Sequence, residues 1–518
     1  MTGSRPARRQ GSIRLVATLI AVLAATVLAA PVSADPNNNN SRKLRSAVTL
    51  EGVRAHQAAL QAIADLNGDT RFAGLPGFDA SAAYVADQLR AVGYDVTIQE
   101  FVYDAFFESS TAQLQRIAPT PATYVNGNDF RTMTFSGSGA VTAAVTPVDY
   151  AGADSGCQAS DFAGFPAGNI ALMRRGTCSF RIKTANAAAA GASAALIGNN
   201  TSGLLNGTLG AGGLSTIPSL GLTQALGAQL STTAGLVMRV STDTGASPLT
   251  TRNVLAETAD GDPNNVVMAG AHLDSVGQGP GINDNGSGSA AILETAIQMA
   301  KVKPRNKVRF AWWSAEESGL IGSTRYVASL SEAERDRIAL YLNFDMVGSP
   351  NFVRFVYDGD NSTFPVGTGI AAGPPGSGTI EAQFASYFAS QGLASAPTPF
   401  NGRSDYGPFI AQGIPAGGLF TGAEGIKTAE QAAIYGGTAG TAYDPCYHAA
   451  CDTYANFSPV ALDQMSDAIA NAVITYAQST ESINGIRGKG NFKRSPQPLP
   501  AGGGGTNGGL HGDEDLFD

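Results

Sequence analysis

Hydrophobic and polar positions follow two different periods along the first hundred residues. In residues 52–66 and 80–92 apolar side chains recur every three or four positions, which predicts two amphipathic helices. Residues 95–102 begin with strict alternation and close on an apolar pair, which predicts a strand. The chain therefore opens with helix, helix and strand.

Beyond residue 251, short apolar runs alternate with amphipathic segments. Alternation at this spacing predicts a doubly wound, mixed α/β sheet, in which ligands bind where the strands end. The predicted strands are 266–270, 307–314 and 340–344, and the predicted helices are 287–300 and 319–330.

A segment of different composition, residues 130–239, separates these two parts. It is rich in Gly, Ala, Ser and Thr, and its short apolar runs surround one Ala-rich predicted helix, 182–190. Its sequence contains no cluster of histidines or carboxylates. An inserted β-rich domain and an unrelated Ala/Gly-rich spacer are both compatible with this composition.

Composition excludes several classes of protein. Of the 518 residues, 43% are hydrophobic and 14% are charged, so the chain is neither charge-rich and disordered nor a coiled coil. This length allows two to four domains at roughly 100 to 200 residues each. The formal net charge of -9 provides no basic surface for phosphates, so we expect no nucleic-acid partner.

The two ends of the chain differ from its middle. Residues 1–34 have the basic start, apolar run and small-residue cleavage site of a secretory signal peptide. A membrane anchor is the alternative, but a spanning helix needs roughly 20 apolar residues and this run covers only 15–30. The polar, Asn-rich sequence of residues 35–45 predicts a flexible leader. The Pro- and Gly-rich composition of residues 483–518 predicts a disordered tail.

The chain has four cysteines, and export would place them in an oxidising compartment, so we expect two disulfides. Three pairings are possible. Cys157 and Cys178 lie in the inserted segment, whereas Cys446 and Cys451 lie close together late in the chain. Local pairing is therefore favoured, and four free buried thiols are the alternative.

Acidic residues and a histidine directly follow the predicted strands, in the strings GAHLDSVGQGPGINDNGSG, WWSAEESG and NFDMVG. Burying carboxylates beside apolar strands is costly unless they are paired or bind metal. Only four histidines are present, so a metal site would use mostly carboxylates, a donor set that two zinc or similar ions accept. The candidate residues are His272, Asp274, Asp284, Glu316, Glu317, Asp345 and His448.

Each candidate also has a structural interpretation when taken alone. His272 fits a buried structural histidine, and Asp345 fits a turn former. The pair Glu316–Glu317 fits a helix N-terminus, where acidic residues complement the helix dipole. The metal-site hypothesis depends on their occurring together in a charge-poor chain.

These motifs resemble a known family. The strings GAHLDSVGQGPGINDNGSGSAAILE, AWWSAEESGLIGSTRYV, YLNFDMVGSPN, GRSDYGPFIAQGIPAGGLFTGAEGIKT and YDPCYHAACDTYAN closely resemble the secreted Streptomyces-type co-catalytic zinc aminopeptidases. The resemblance covers residues 52–102 and 251–478. Within the insert, ALMRRGTCSFRIKTANAAAAGASAALIGNN resembles the protease-associated domain of secreted peptidases. The implied domains are a catalytic domain, 46–129 with 240–482, and a protease-associated domain, 130–239.

The resemblance also implies a role for each site residue. It implies that Asp284 bridges two zinc ions, that His272 and Asp345 complete one ion, and that Glu317 and His448 complete the other. The remaining implied roles are Glu316 as general base, Tyr447 as donor to the oxyanion, Asp274 as the carboxylate that orients His272, and Arg403 with Phe420 as the lining of the amino-terminal pocket. The Asp284–Asn285 peptide bond is expected to be cis.

A calcium site is the one place where the chain departs from the family. Asp463 and Asp467 match two helix carboxylates that bind calcium in the Streptomyces member. The third ligand is an aspartate there, whereas this chain has Ala47 at the matching position. Calcium is therefore in doubt.

The resemblance implies a secreted, monomeric zinc aminopeptidase. Its substrates would be peptides with a free amino terminus and a large apolar first residue such as Leu, with no membrane contact after signal cleavage. One alternative is a carboxypeptidase or glutaminyl cyclase on the same fold. A non-catalytic binding protein is the other, and it would be expected to have lost ligands that this chain keeps.

Overall fold

The computed structural model describes residues 38–201, 203–210, 213–364 and 371–485. The predicted signal peptide and the tail after residue 485 lie outside these residues. The helices are α1 (Ser41–Ala47), α2 (Leu50–Asp65), α3 (Pro76–Ala91), α4 (Phe180–Ala189), α5 (Gln224–Ser231), α6 (Gly286–Met299), α7 (Ile321–Ser329), α8 (Glu332–Arg337), α9 (Ser377–Ser390), α10 (Gly407–Ala411), α11 (Ala429–Tyr435), α12 (Pro459–Gln478) and α13 (Glu481–Asn484).

The strands form one continuous series of pairings, in the order β13-β12-β14-β11-β9-β10-β8-β4-β5-β6-β7-β3, with β1 paired to β8 and to β2. The strands are β1 (Asp95–Ala118), β2 (Ala122–Thr123), β3 (Phe130–Thr132), β4 (Gly139–Pro147), β5 (Ile170–Arg174), β6 (Ala194–Gly198), β7 (Ser219–Leu222), β8 (Val237–Glu257), β9 (Asp262–His272), β10 (Asn306–Trp313), β11 (Ile338–Phe344), β12 (Phe355–Tyr357), β13 (Ala396–Thr398) and β14 (Ala416–Phe420).

Strands β14, β11, β9 and β10 are mutually parallel and form the centre of the catalytic half. Towards their carboxyl ends these strands are largely buried on both faces, as in other parallel sheets that helices cover on both sides, whereas Lys307 and Arg309 near the start of β10 are only partly buried. Adjacent residues show the two faces: Trp312 belongs to the core cluster that includes residues of α2, α3, α6 and α12, whereas Trp313 lies on the opposite face against Tyr326 and Phe409. The predicted doubly wound mixed sheet is confirmed.

The leader contains a helix that the sequence analysis missed. Residues 41–45 belong to α1, whose N-cap Asn40 accepts a hydrogen bond from the Lys43 N–H. Leu44 is fully buried in the core beside α12. The prediction of a flexible leader is therefore wrong for these residues, because one apolar residue and tertiary packing are enough to fix a helix that has no clear periodic signal. At the other end, residues 483 and 484 belong to α13 rather than to a tail.

In its described residues, the inserted segment contains a mixed sheet and two α-helices rather than one. Strands β4, β5, β6 and β7 are parallel, and β3 adds antiparallel to β7. The predicted Ala-rich helix is α4. The second helix, α5, starts at N-cap Thr223 and buries Leu226 and Leu230 in the core of the insert.

A long two-stranded ribbon connects the insert to the catalytic sheet. Strand β1 pairs antiparallel with β8 from Asp95–Glu257 at the catalytic end to Ala118–Val237 at the insert end. The first strand was predicted to end at residue 102, and it continues through residue 118 instead. The proposed boundary at 239/240 falls inside β8, so no flexible linker marks that side of the insert.

Both disulfides have the expected local pairing. Cys157 is bonded to Cys178 within the insert, and Cys446 is bonded to Cys451 in the loop before α12. None of the described helices is both long enough and apolar enough to span a bilayer.

Candidate metal centre

The seven candidate metal residues converge at the carboxyl ends of β9, β10 and β11. His272 ends β9, Glu316 and Glu317 follow β10, and Asp345 follows β11. Asp284 directly precedes Asn285, the N-cap of α6, and the Asp284–Asn285 peptide bond is cis, as expected. His448 comes from the loop before α12 and has a left-handed backbone, with φ of 52°. Parallel strands that end at one edge bring these loops together.

Two groups of candidate ligand atoms share Asp284. In the first, His272 Nε2 lies 3.2 Å from Asp284 Oδ1 and 3.2 Å from Asp345 Oδ1. In the second, His448 Nε2 lies 3.2 Å from Asp284 Oδ2 and 2.9 Å from Glu317 Oε2. The two oxygens of Asp284 therefore face different groups.

These separations fit zinc. Ligand atoms about 2.0 to 2.1 Å from a tetrahedral ion lie about 3.3 Å apart, close to the distances within each group. Glu317 Oε1 is buried and has no hydrogen-bond partner among the described residues, which fits an oxygen reserved for a metal. The donor set of one nitrogen with two carboxylate oxygens per group is also one that zinc accepts.

Negative charge dominates the site. Burial lowers the pKa of His272, but the nearby carboxylates of Asp345 and Glu316 outweigh it and raise the pKa well above its usual range. The pKa of His448 is raised in the same way, against burial, chiefly by Glu317. Burial raises the pKa of Glu317 to about 7. These raised pKa values reflect a centre with more carboxylates than cationic groups, a balance that favours bound cations.

Asp274 connects two of the metal-bearing loops. Its carboxylate oxygens accept hydrogen bonds from the N–H groups of Glu316 and Glu317, at 3.2 and 3.3 Å. The nearest acceptor to His272 Nδ1 is the main-chain oxygen of Asp274, at 3.2 Å, whereas its carboxylate lies 3.8 Å away. Metal-binding histidines usually donate a hydrogen bond from the N–H of the second ring nitrogen to such an oxygen, and this bond fixes the orientation of the ring. The Asp274 carboxylate is better placed to hold the loop that carries Glu316 and Glu317, residues 314–320 (the glutamate loop).

The glutamate loop is also held by β8. The side-chain amide of Asn253 accepts from the Ser314 N–H and donates to the Gly322 carbonyl, so one side chain joins the two ends of the loop. Thr251 and Ser314 share a hydrogen bond between their hydroxyls at 2.5 Å. Glu316 and Glu317 therefore stand on a fixed loop, with side-chain exposures of 11% and 4%.

Further polar side chains that the sequence analysis missed support the ligands. Asp452 accepts hydrogen bonds from the N–H groups of Asn283 and Asp284, and burial raises its pKa to about 7. Ser404 donates to Asp345 Oδ2 at 2.6 Å. Buried Asp405 follows it, and burial raises its pKa to about 7. All three are sequence neighbours of residues that were already candidates, since Asp452 follows Cys451 and Ser404–Asp405 follow Arg403. They do not follow a predicted strand or match a metal-ligand pattern, so there was no reason in the sequence to select them.

The Cys446–Cys451 disulfide encloses the short loop that presents Tyr447 and His448. The two rings are stacked, with centroids 3.8 Å apart. The main-chain N–H of Tyr447 donates to the Asp444 carbonyl. The loop is thus fixed by a covalent bond, a ring stack and a hydrogen bond.

Arg403 and Phe420 lie on one side of the site. Arg403 is paired with Glu424 at 3.4 Å. The Phe420 ring lies nearly parallel to the buried ring of Tyr357, at 6.5 Å and 10°. Burial, with the charge of Asp345 among the smaller contributions, raises the pKa of Tyr357 well above its usual range. The Phe420 ring therefore packs against a buried tyrosine that lies within the electrostatic influence of Asp345.

The candidate calcium residues lie elsewhere, on α12. Asp463 is exposed, whereas Asp467 pairs with Arg45 of α1 at 3.2 Å. Arg45 also donates to the Tyr387 hydroxyl at 3.4 Å. A side-chain cation of the chain itself therefore contacts one of these two carboxylates.

Comparison with protein families gives two matches. Residues 253–473 match peptidase family M28, and residues 141–230 match the PA domain. An aminopeptidase from Pseudomonas aeruginosa is 50% identical over 435 residues, which cover 82% of this chain and 80% of the relative. Leucine aminopeptidase 2 from Trichophyton rubrum is 41% identical over 89% of this chain and 91% of its own length.

Solved structures show the same architecture. The aminopeptidase from Aneurinibacillus sp. strain AM-1 superposes with a TM-score of 0.67 at 28% identity, covering 89% of this chain and 98% of that one. A zinc aminopeptidase from Bacillus subtilis superposes with a TM-score of 0.60 at 25% identity, covering 84% and 98%.

Proposed function

The chain belongs to peptidase family M28 and is a metallo-aminopeptidase, and we propose that it releases the amino-terminal residue of peptides at a centre of two zinc ions. The observation that carries the proposal is the pair of ligand groups that share Asp284. His272 and Asp345 would hold one ion, and His448 and Glu317 would hold the other.

The side chains divide the chemistry between them. Zinc held by these residues would supply Lewis acidity, which would lower the pKa of the attacking water and polarise the scissile carbonyl. Glu316 accepts the proton of that water and returns it to the leaving amine. Its Oε2 is 3.9 Å from His272 Nε2, farther than either ligand oxygen, which supports a role beside the ligands. Tyr447 donates a hydrogen bond to the charge that develops on the carbonyl oxygen.

Substrate preference follows from the surroundings of the centre. The carboxylates of Glu316 and Asp345 attract the positive α-amine of a free amino terminus. The Phe420 ring, supported by Tyr357 and by Phe355 at 6.0 Å, provides an apolar wall for a large first side chain such as that of Leu. Arg403 completes this pocket at its Glu424 side.

We also propose that the enzyme is secreted and monomeric. Two disulfides fit an oxidising compartment, and residues 1–34 supply the export signal. Residues 46–129 and 240–482 form the catalytic domain, and residues 130–239 form the protease-associated domain. The insert supplies none of the proposed ligands.

Hydrolysis of aminoacyl anilides tests the proposal. We expect turnover of leucyl anilide, no turnover of its N-acetylated form, loss of activity with a zinc chelator, and recovery with about two equivalents of zinc per chain. Turnover of the blocked substrate would contradict an aminopeptidase. Release of C-terminal residues would favour a carboxypeptidase, cyclisation of N-terminal glutamine would favour a cyclase, and zinc binding without any turnover would favour a binding protein.

A further inference from the structure

Arg71 is a fully buried arginine in the loop between α2 and α3. Its guanidinium donates hydrogen bonds to three main-chain carbonyls, those of Leu273, Pro280 and Gly281. All three belong to the loop between β9 and α6. One planar group therefore gathers carbonyls from both ends of that loop.

The loop that Arg71 holds is the one that separates two metal residues. His272 immediately precedes Leu273, and Asp284 follows Gly281 by three positions. The Arg71 main chain strengthens the contact, since its N–H donates to Ser275 Oγ at 2.9 Å and its carbonyl accepts from the Ser275 N–H at 3.3 Å. The spacing of the two ligands thus depends on a residue outside the loop.

The charge of Arg71 also suits this place. Burying a guanidinium is costly unless acceptors and opposite charge surround it. Its hydrogen bonds go to neutral carbonyls, while the opposite charge comes from Asp274, Asp452, Asp284 and Glu317. These carboxylates either bind metal in the proposed centre or support residues that do. The charge of the guanidinium is therefore balanced by several carboxylates of the centre rather than by one partner.

We propose that Arg71 is a positioning residue that holds the His272–Asp284 loop in its metal-binding shape before zinc arrives. Five N–H donors in a fixed plane can reach three separate carbonyls, which a single ammonium group cannot match. A loop held in advance has less conformational entropy to lose when the ion binds, so zinc affinity rises. This inference rests on the proposed zinc centre.

Arg354 serves as a matched control, because it separates a specific effect on the metal centre from the general effect of replacing a buried arginine. It is 6% exposed, and it donates to the Ala394 carbonyl at 2.7 Å and to Gln464 Oε1 at 2.8 Å. Like Arg71, it is a buried arginine that fixes a loop of the catalytic half. Neither Ala394 nor Gln464 is a candidate metal ligand.

The test compares Arg71→Lys with Arg354→Lys. Zinc dissociation constants are measured on metal-free protein by competition with a chromogenic chelator, and melting temperatures are recorded without metal. We expect Arg71→Lys to bind zinc about 10- to 100-fold more weakly, as is typical when support of a ligand is lost, and Arg354→Lys to keep wild-type affinity. If both variants lose stability and both keep zinc affinity, the proposal is wrong. Wild-type protein that binds no zinc would instead overturn the proposed function.

Hydrogen exchange on the wild-type chain gives an answer even if Arg71→Lys does not fold. The Ser275 N–H that donates to Arg71 and the Asp284 N–H that donates to Asp452 report directly on the loop. We expect equal protection of these amides in metal-free and zinc-loaded protein. Protection that develops only after zinc is added would show that the ion, rather than Arg71, shapes the loop.

Discussion

Replacing the two adjacent glutamates in turn should separate proton transfer from metal binding. Glu317 Oε2 lies 2.9 Å from His448 Nε2, within the distance expected between ligands of one ion. Glu316 Oε2 lies 3.9 Å from His272 Nε2, whereas the ligand oxygens of Asp284 and Asp345 lie at 3.2 Å. The neighbouring side chains therefore occupy different positions, and their losses should differ in kind.

Glu316→Gln keeps the shape of the side chain and removes the proton acceptor. We expect kcat to fall by about 10²- to 10⁴-fold, or about 3 to 5 kcal/mol of transition-state stabilisation. KM should stay near the wild-type value, because the change acts on the chemical step. Zinc content should remain at two per chain, since no ligand is removed.

Glu317→Ala removes a ligand instead. The second group would retain only His448 and one oxygen of Asp284, too few for a stable zinc site. We expect zinc content to fall from about two ions per chain toward one, and activity to recover in part at high zinc concentration. The exposed Glu430, in the first turn of α11, gives a control substitution, Glu430→Gln, that should change neither quantity.

Metal analysis by atomic absorption beside steady-state kinetics on leucyl anilide decides between the roles. The reasoning is refuted if Glu316→Gln loses zinc while Glu317→Ala keeps two ions and is only slow. Equal losses of zinc in both variants would also refute it, because the loop would then be acting as one unit.

Three further predictions concern stability and loop geometry. Loop closure by the Cys446–Cys451 bond should contribute about 2 kcal/mol to the free energy of unfolding, because the enclosed ring is short. The double substitution Cys446→Ser, Cys451→Ser should therefore lower kcat by more than the fraction of protein that it unfolds. Full turnover by the double variant would contradict this. Arg45→Ala should lower the free energy of unfolding by up to about 1 kcal/mol, because the ion pair with Asp467 is lost. A calcium chelator should leave the melting temperature of the wild-type protein unchanged. A lower melting temperature with the chelator would support a calcium site. Burial raises the pKa of Glu381 to about 7, so the folded state loses stability as Glu381 ionises with rising pH. Glu381→Gln should therefore have a free energy of unfolding about 1 kcal/mol above the wild-type value at pH 8, but not at pH 5. Equal effects at both pH values would count against this.

Local signals predicted the central strands well. The last four residues of β10, 310–313, are apolar on both faces, and polar residues begin directly after them, so the strand end and the candidate ligands could be predicted together. The pairing of the four cysteines followed from their positions along the chain. The grouping of His448 with Glu317, however, came only from resemblance, because the two residues are far apart in sequence.

Isolated residues whose role depends on distant contacts could not be predicted. Arg71 is one arginine in a short loop, and its sequence neighbours give no sign that it is buried beneath three carbonyls of another loop. Leu44 is likewise the single buried residue of α1, too few for a periodic pattern. The extension of β1 beyond residue 102 was missed because its side chains there lie on a ribbon with mixed burial rather than on one regular face.

The ribbon of β1 and β8 has a consequence for how such a chain could gain or lose its insert. From Asp95–Glu257 to Glu108–Thr244 the two strands run opposite each other without a register shift. The polypeptide therefore leaves and re-enters the catalytic half at adjacent points. A cut across a facing pair between Val102–Thr250 and Glu108–Thr244 could be closed by a two-residue hairpin turn, and the part of β8 that pairs with β10 would stay in place. The insert is in this sense a module on a stem, which recombination could exchange for another domain whose two ends lie side by side.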